Sequence, residues 1–166
     1  MDSVSQALWG GLSAVALRKK TKVRHDFIFG AIGGTLPDLD AWIGRLSSPL
    51  NERLWHRGPS HSLLLLGLIG LAFLWFTKHR AHTIRTKFVP LWIGAITHPL
   101  LDILTGFETA VAYPLFEPIS VGWFPVLEPI FLLLLLIGGI RTLFTSAIQS
   151  ARRSLLGACC WIALVG

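Results

Sequence analysis

The stretch HRGPSHSLLLLGLIGLAFLWF, residues 56–76, joins a polar segment with two histidines to an uninterrupted apolar run. The run, 63–76, holds no charged residue and no alternation of polar and apolar positions, which is typical of a helix surrounded by apolar groups. A membrane-spanning helix needs about 20 residues, and this run with its flanks approaches that length. The histidines then lie at the edge of a helix in lipid, where titratable groups need a chemical reason.

The composition of the whole chain favours the same environment. Of its 166 residues, 52% are hydrophobic and 14% are charged, and the mean hydropathy is +0.61. We therefore expect one integral membrane domain over residues 1–166, in contact with the lipid bilayer. The net charge of +6 is not arranged as a basic surface interleaved with aromatic residues, so no binding of nucleic acid is expected.

Six apolar segments follow one another along the chain. They cover residues 7–17, 27–36, 62–77, 88–104, 123–140 and 155–166. The segments lack the regular alternation and the evenly spaced turns of a membrane barrel. The predicted fold class is therefore all-α: a polytopic helical membrane bundle with five to six apolar segments, some of them short or re-entrant.

The charged residues indicate an orientation in the membrane. If 18–24, 78–87 and 141–153 are cytoplasmic, only three of the 15 Lys and Arg lie on the other side, within 45–57. The acidic residues sort the opposite way, because Asp26 alone of the nine falls on the cytoplasmic side. Positive-inside sorting acts only weakly on acids, so a bound cation is the candidate reason.

Three segment ends on the outer side carry metal-ligating residue types. The stretches are TLPDLD (35–40), WHRGPSHS (55–62) and THPLLD (97–102). Neutral imidazoles and carboxylates are ligands for zinc, manganese and iron. The candidate metal ligands are Asp38, Asp40, His56, His61, His98 and Asp102.

The spacing of these candidates supports a shared site. His98 and Asp102 are four residues apart and lie on one face of a helix. The Gly-Pro pair between His56 and His61 predicts a turn that folds one histidine over the other. Taken alone, PDLD also fits a turn with Asp40 as a helix cap, and His98 also fits a hydrogen-bonding residue between helices. Asp102 inside an apolar segment needs a partner, and His98 one turn earlier is that partner.

Two further residues are candidates for the reaction itself. Arg57 can bind an anionic substrate such as a phosphate through its planar guanidinium group, or it can be a snorkelling residue at the interface. Glu128, at the outer end of the fifth segment, can be a ligand or a general base, or an exposed acid of a loop.

Four stretches in this order resemble a known family: MDSVSQALWGG, GTLPDLDAW, HRGPSHSLL and THPLLDILTGF. The family is the bacterial inner-membrane family described as membrane-bound metal-dependent hydrolases, and the resemblance covers residues 1 to about 140. It implies a multi-span helical protein of the bacterial inner membrane with a metal site. The matching positions are Asp38, Asp40, His56, His61, His98 and Asp102.

The chain departs from this family pattern at three places. The family tends to have a Thr-His pair near the N-terminus, where this chain has Ser5 and Gln6. If that histidine is a ligand, this protein lacks it. Asp-Pro is replaced by Glu128-Pro129, and a glycine is replaced by Glu108. A glutamate can still bind a metal, although with a different geometry.

The leading hypothesis is a metal-dependent hydrolase with its site at the extracytoplasmic membrane face. One or two divalent ions, zinc first and manganese or magnesium as alternatives, would activate water. Asp40 or Glu128 would take the proton as the catalytic carboxylate, and Arg57 would bind substrate. The position at the headgroup level favours a phosphoester or ester of a lipid or membrane-associated substrate.

Two other functions fit the same residues. The first is a non-enzymatic, metal-stabilised membrane scaffold or partner-binding protein, which the replacement of the family histidine by Gln6 favours. The second is a divalent-cation transporter. Transporter sites lie near the membrane midplane in broken helices, whereas these residues lie towards one end and no internal repeat is evident.

Overall fold

The structure is a computed structural model that describes residues 2–18, 22–41, 58–77, 82–106, 108–123, 125 and 128–165. Its α-helices are α1 (Ser3–Leu17), α2 (Val23–Thr35), α3 (Leu63–Phe76), α4 (His82–Asp102), α5 (Pro129–Thr145) and α6 (Ile148–Val165). A 3₁₀ turn at Pro59–His61 precedes α3. The described ranges contain no strand apart from an isolated bridge between Thr109 and Ile119, so the all-α prediction is confirmed.

Each of the six predicted apolar segments overlaps one helix. The helix bounds extend beyond the apolar bounds where the first turns of a helix contain polar residues, as in α4, which begins at His82, and in α6, which begins at Ile148 and contains Arg152 and Arg153. Polar side chains do not interrupt the hydrogen bonding of a helical backbone, so hydropathy detects only the apolar part of such helices. Within the part of the chain that the structure describes, no helix is both long enough and apolar enough to cross a membrane.

Side-chain caps define the starts of three helices. Asp2 accepts a hydrogen bond from the Ser5 amide (2.8 Å) at the start of α1. Ser62 accepts one from the Leu65 amide (3.3 Å) at the start of α3. Glu128 accepts one from the Phe131 amide at the start of α5, where proline occupies the first helical position. Each cap satisfies an amide that the helix itself leaves unpaired.

Glycines let α2 pack directly against both α1 and α4. A Cβ on Gly94 of α4 would lie 2.0 Å from the carbonyl oxygen of Gly30 in α2. A Cβ on Gly34 of α2 would lie 2.3 Å from the carbonyl oxygen of Gln6 in α1. Small residues of this kind allow helix backbones to touch. The C-terminal end of α2 is thereby held next to Gln6 and to the second half of α4.

A hydrophobic core joins α1, α4, α5 and α6. Its buried members include Leu12, Val15, Leu101, Phe131, Leu135, Ala158 and Ile162. Burial of such side chains stabilises the fold by roughly 1.5–3 kcal/mol each. Leu101 of α4 belongs to this core, so the C-terminal end of α4, which also carries His98 and Asp102, is anchored by apolar packing.

The loop that follows α4 fixes the start of α3. The Leu63 amide donates to the Val111 carbonyl (2.8 Å), and the Ser62 hydroxyl donates to the Tyr113 carbonyl (2.8 Å). The same loop returns to the end of α4, where the Val121 amide donates to the Ile103 carbonyl (2.7 Å). These bonds hold the 3₁₀ turn before α3 beside the C-terminal end of α4.

Candidate metal centre

Four side chains from three parts of the chain meet in one cluster. Asp38 comes from the turn after α2, His61 from the 3₁₀ turn, and His98 and Asp102 from α4, with one potential ligand atom of each lying within 4.8 Å of the others. His61, His98 and Asp102 are buried, whereas the Asp38 side chain is 23% exposed. The structure therefore brings together four of the six predicted metal ligands, and the cluster opens to solvent on the Asp38 side.

Two turns of the backbone, each containing a proline, place Asp38 and His61. α2 ends at Thr35, and the Leu36 amide bonds back to the Gly33 carbonyl (3.1 Å) before the chain turns through Pro37 to Asp38. Pro59 begins the 3₁₀ turn, in which the His61 amide donates to the Gly58 carbonyl (3.1 Å). Proline suits the first position of such a turn because its φ angle is preset and it has no amide to satisfy.

Five of the six distances between the ligand atoms are close to those around one four-coordinate ion. His98 Nε2 lies 3.1 Å from His61 Nε2 and 3.3 Å from Asp38 Oδ1. His61 Nε2 lies 3.6 Å from Asp38 Oδ1, and Asp102 Oδ2 lies 3.6 Å from the Nε2 atom of each histidine. In a tetrahedron with zinc–ligand bonds of about 2.0–2.2 Å, the ligand atoms lie about 3.3–3.6 Å apart.

The tautomers of both histidines also agree with a bound cation. His98 Nδ1 lies 2.6 Å from the Gly34 carbonyl oxygen, which can only accept, so Nδ1 carries the proton and Nε2 keeps its lone pair. His61 Nδ1 lies 2.9 Å from the Ser60 hydroxyl, whose proton is donated to Asp40, so this Nδ1 also donates. Two Nε2 lone pairs 3.1 Å apart would repel each other, so either a proton or a metal ion lies between them.

The charges of the cluster suit a divalent ion. Burial alone would raise the pKa of the Asp38 carboxyl, but its contacts with His61 and His98 outweigh burial and hold that pKa well below its usual range. Asp38 is therefore ionised at neutral pH and contributes one full negative charge. With Asp102 also ionised, and with both imidazoles deprotonated as metal ligands must be, the cluster would carry two negative charges, which one divalent ion would neutralise.

Asp40 lies behind His61 and outside the set of four ligand atoms. Its carboxylate accepts from the Ser60 hydroxyl, and its Oδ2 is 3.6 Å from His61 Nδ1, the ring nitrogen that points away from the cluster. Partners of this kind fix the ring orientation and the tautomer of a metal-binding histidine. Ser60 connects Asp40 to His61 by hydrogen bonds. The sequence did not predict this role as a partner of His61, although the two residues are adjacent in the chain.

Glu128 has contacts away from the cluster. It caps α5 through the Phe131 amide and accepts a hydrogen bond from Trp161 Nε1 (3.1 Å) in α6. Its predicted role as a ligand or general base stays a prediction. His56 and Arg57, predicted as a metal ligand and a substrate-binding residue, lie outside the described residues.

Gln6 is adjacent to the cluster and was not predicted to contribute to it. The side chain is fully buried, and its Nε2 donates to Asp102 Oδ1 (2.9 Å) and, at 3.4 Å, to the His98 carbonyl oxygen. From the sequence, Gln6 was interpreted only as the loss of a family histidine. The family histidine at this position is the signal that could have identified Gln6. If that histidine faces the metal site in other members of the family, the residue that replaces it faces the same site here.

The fold and the site define an all-helical protein with a buried cluster of histidines and aspartates. The chain belongs to the YdjM inner membrane protein family, whose model matches residues 1–166. The match extends beyond the first 140 residues on which the sequence resemblance rested. The description places the family in the inner membrane and names no reaction. No curated protein and no solved structure matches the chain.

Proposed function

We propose that this protein is a metal-dependent hydrolase of the bacterial inner membrane, in which Asp38, His61, His98 and Asp102 hold a divalent ion, zinc first. The observation that carries the proposal is the approach of His61 Nε2 to His98 Nε2 (3.1 Å) while both Nδ1 atoms are hydrogen-bonded elsewhere. A divalent ion at this point would act as a Lewis acid that makes water nucleophilic near neutral pH.

The exposure of the cluster favours a reaction over a sealed site. His61 and Asp102 are fully buried, whereas the Asp38 side chain is 23% exposed, so water and substrate would approach from the Asp38 side. Of the two carboxylates predicted to take a proton, Asp40 is the one beside the cluster, and its side chain is 15% exposed. Because Asp40 lies behind the His61 ring, we assign to it the orientation of His61, and to Glu128 the capping of α5.

An apolar crevice in the helical bundle suits an apolar substrate. It has a volume of about 290 Å³, lies between α1, α4 and α6 and is lined by Trp9, Leu100, Leu101, Leu104 and Ile162, among others. None of the four cluster residues lines it. A crevice of this kind suits an acyl chain, and together with the location of the family in the inner membrane it supports a lipid ester or phosphoester as the substrate. Arg57 remains the proposed contact for a phosphate.

Two observations support a polytopic bundle in the inner membrane with the site at its extracytoplasmic face. The first is the distribution of Lys and Arg along the chain. The second is the set of large apolar side chains that α3 and α5 expose, including Leu68, Leu71, Phe76, Leu133 and Phe144. Contiguous apolar surfaces of this kind are typical of contact with lipid or with a partner.

A second function is favoured by a specific observation. The four side chains of the cluster are sufficient to complete a tetrahedral ligand set, and closed sites of four protein ligands are typical of structural metals. In this alternative, the metal joins the end of α2, the start of α3 and α4, and the protein is a metal-stabilised scaffold without a reaction.

The first experiment measures the metal content of the purified protein beside a His61→Ala, His98→Ala double variant. We expect about one ion per chain in the wild type, since one cluster can hold one tetrahedral ion, and none in the double variant. His25→Ala is the matched control, because His25 is a half-buried histidine of α2 that contacts Asp26 and Phe29. Equal and negligible metal in all three proteins would contradict the metal site.

The second experiment separates the two functions. The metal-loaded protein is incubated with a bacterial lipid extract, with and without chelator, and the products are followed by mass spectrometry. A hydrolysis product that disappears with chelator supports the hydrolase. If no lipid class gives such a product and chelation lowers the unfolding temperature, the results would contradict the hydrolase and support the metal-stabilised scaffold.

A further inference from the structure

We propose that Gln6 is a positioning residue that holds Asp102 in the orientation in which Oδ2 faces the metal. This inference rests on the proposed metal site. It changes the interpretation of the N-terminal helix: Gln6 does not merely mark a missing histidine, because its amide supports a ligand that α4 supplies.

The two carboxylate oxygens of Asp102 face different neighbours. Gln6 Nε2 donates to Asp102 Oδ1 at 2.9 Å. The other oxygen, Oδ2, lies 3.6 Å from His61 Nε2 and 3.6 Å from His98 Nε2. A carboxylate with one oxygen bonded to a neighbouring amide has a restricted rotation. Asp102 is therefore set to bind the ion through a single oxygen.

The orientation of the Gln6 amide is determined by its surroundings. Nε2 faces two acceptors, Asp102 Oδ1 and the His98 carbonyl oxygen. Reversing the amide would place its oxygen against both of them, which is repulsive. Oε1 is buried and has no hydrogen-bond partner in the part of the chain that the structure describes, so the contacts of Nε2 are what hold the side chain in place.

An amide has two properties that suit this position. It donates a hydrogen bond at every pH, and it brings no charge of its own to the buried cluster. The amide therefore does not neutralise the negative charge of Asp102. Hydrogen-bond partners behind a metal ligand typically change metal affinity by about 10- to 100-fold when they are removed, and we expect Gln6 to lie in this range.

The test compares the affinity of the wild type and Gln6→Met for Zn²⁺ and Co²⁺, measured by competition with a chromophoric chelator. Methionine has a similar length and cannot donate. We expect a loss of about 10- to 100-fold in affinity and a changed visible absorption spectrum of the Co²⁺-loaded protein. The matched control is Ser5→Ala, because Ser5 is a fully buried neighbour on α1 whose hydroxyl lacks a hydrogen-bond partner among the described residues.

Two more variants separate positioning from packing. Gln6→His keeps a ring N–H donor at a similar reach and should restore most of the affinity. Gln6→Glu keeps the shape but, as a carboxylate, loses the donor and repels Asp102, so its affinity and Co²⁺ spectrum should differ from those of the wild type. Thermal unfolding of each metal-free variant identifies any that fails to fold, and the folded ones are then compared.

The possible outcomes are distinguishable. Wild-type affinity and an unchanged Co²⁺ spectrum in a folded Gln6→Met or Gln6→Glu protein would overturn the role of Gln6 and leave the metal site intact. Equal losses in Ser5→Ala and Gln6→Met would also overturn it, since the effect would then belong to the packing of α1. Failure of the wild type to bind either metal would remove the proposed function itself, and the inference with it.

Discussion

The Nε2 atoms of His61 and His98 lie 3.1 Å apart, although the two residues are separated by 37 positions in the chain. Their rings meet edge to face, with 70° between the ring planes. The Nδ1 atom of each ring has its own partner, Ser60 for His61 and the Gly34 carbonyl for His98. Since both Nδ1 protons are engaged there, the two Nε2 atoms that face each other are joined by a proton in the metal-free protein, and a divalent ion would replace that proton.

Asp102→Asn should weaken metal binding more than the substitution of a residue that only forms a hydrogen bond to a ligand. The substitution keeps the shape but replaces a charged oxygen by a neutral amide at 3.6 Å from both Nε2 atoms. We expect a loss beyond the roughly 10- to 100-fold that follows removal of an outer hydrogen-bond partner. Competition with a chromophoric chelator measures it. An affinity equal to that of the wild type would exclude Asp102 as a ligand.

Ser60→Ala should weaken metal binding without removing a ligand. The hydroxyl accepts from His61 Nδ1 and donates to Asp40, so its loss frees the imidazole to rotate and to change tautomer. We expect a decrease of about 10- to 100-fold in zinc affinity. Thr35→Ala is a suitable control, because its hydroxyl bonds only to the Ile32 carbonyl within α2 among the contacts described. Equal effects of the two changes would contradict the role of Ser60.

Gly94→Ala should destabilise the protein by about 1–3 kcal/mol, because the new methyl group would lie 2.0 Å from the Gly30 carbonyl oxygen and force α4 away from α2. The same change at Gly67 is the control. Nothing lies within 4 Å of the position where its Cβ would be, so Gly67→Ala should stabilise α3 by roughly 0.5–1 kcal/mol. Thermal and denaturant unfolding measure both. Similar effects at the two positions would be inconsistent with the contact between α2 and α4.

Metal removal should lower the stability of the fold. At a metal concentration of about 100 times Kd, binding to the folded state alone contributes about 2.7 kcal/mol. Chelation should therefore lower the unfolding temperature of the wild type and leave that of the His61→Ala, His98→Ala protein unchanged. An equal decrease in both proteins would mean that the chelator acts elsewhere.

Metal affinity should fall as the pH is lowered from 8 to 5, because protons compete with the ion for the histidine nitrogens that would bind it. Asp38 does not cause this fall. Its pKa is held well below the usual range by His61 and His98 against the opposing effect of burial, so it stays ionised throughout this window. A titration of Zn²⁺ binding between pH 5 and 8 tests the prediction, and an affinity independent of pH would argue against histidine ligands.

The helices and the four residues of the cluster could be predicted from the sequence because these features are local. Apolar runs mark the six helices named above in the described part of the chain, and the four-residue spacing of His98 and Asp102 places both on one face of α4. The residue types of Asp38, directly after Pro37, and of His61, two residues after Pro59, were sufficient to propose them as ligands. These inferences need only the periodicity of a helix and the chemistry of the side chains.

The division of roles within the site was decided by the tertiary structure. PDLD offers two carboxylates, and only the packing of the turn places Asp38 in the cluster and Asp40 behind His61. Gln6 reaches Asp102 because glycines allow α1, α2 and α4 to approach to backbone contact. Sequence determined which residues could bind a metal. Which of them face one point depends on the angles and distances between helices, and these follow from packing along the whole length of the chain.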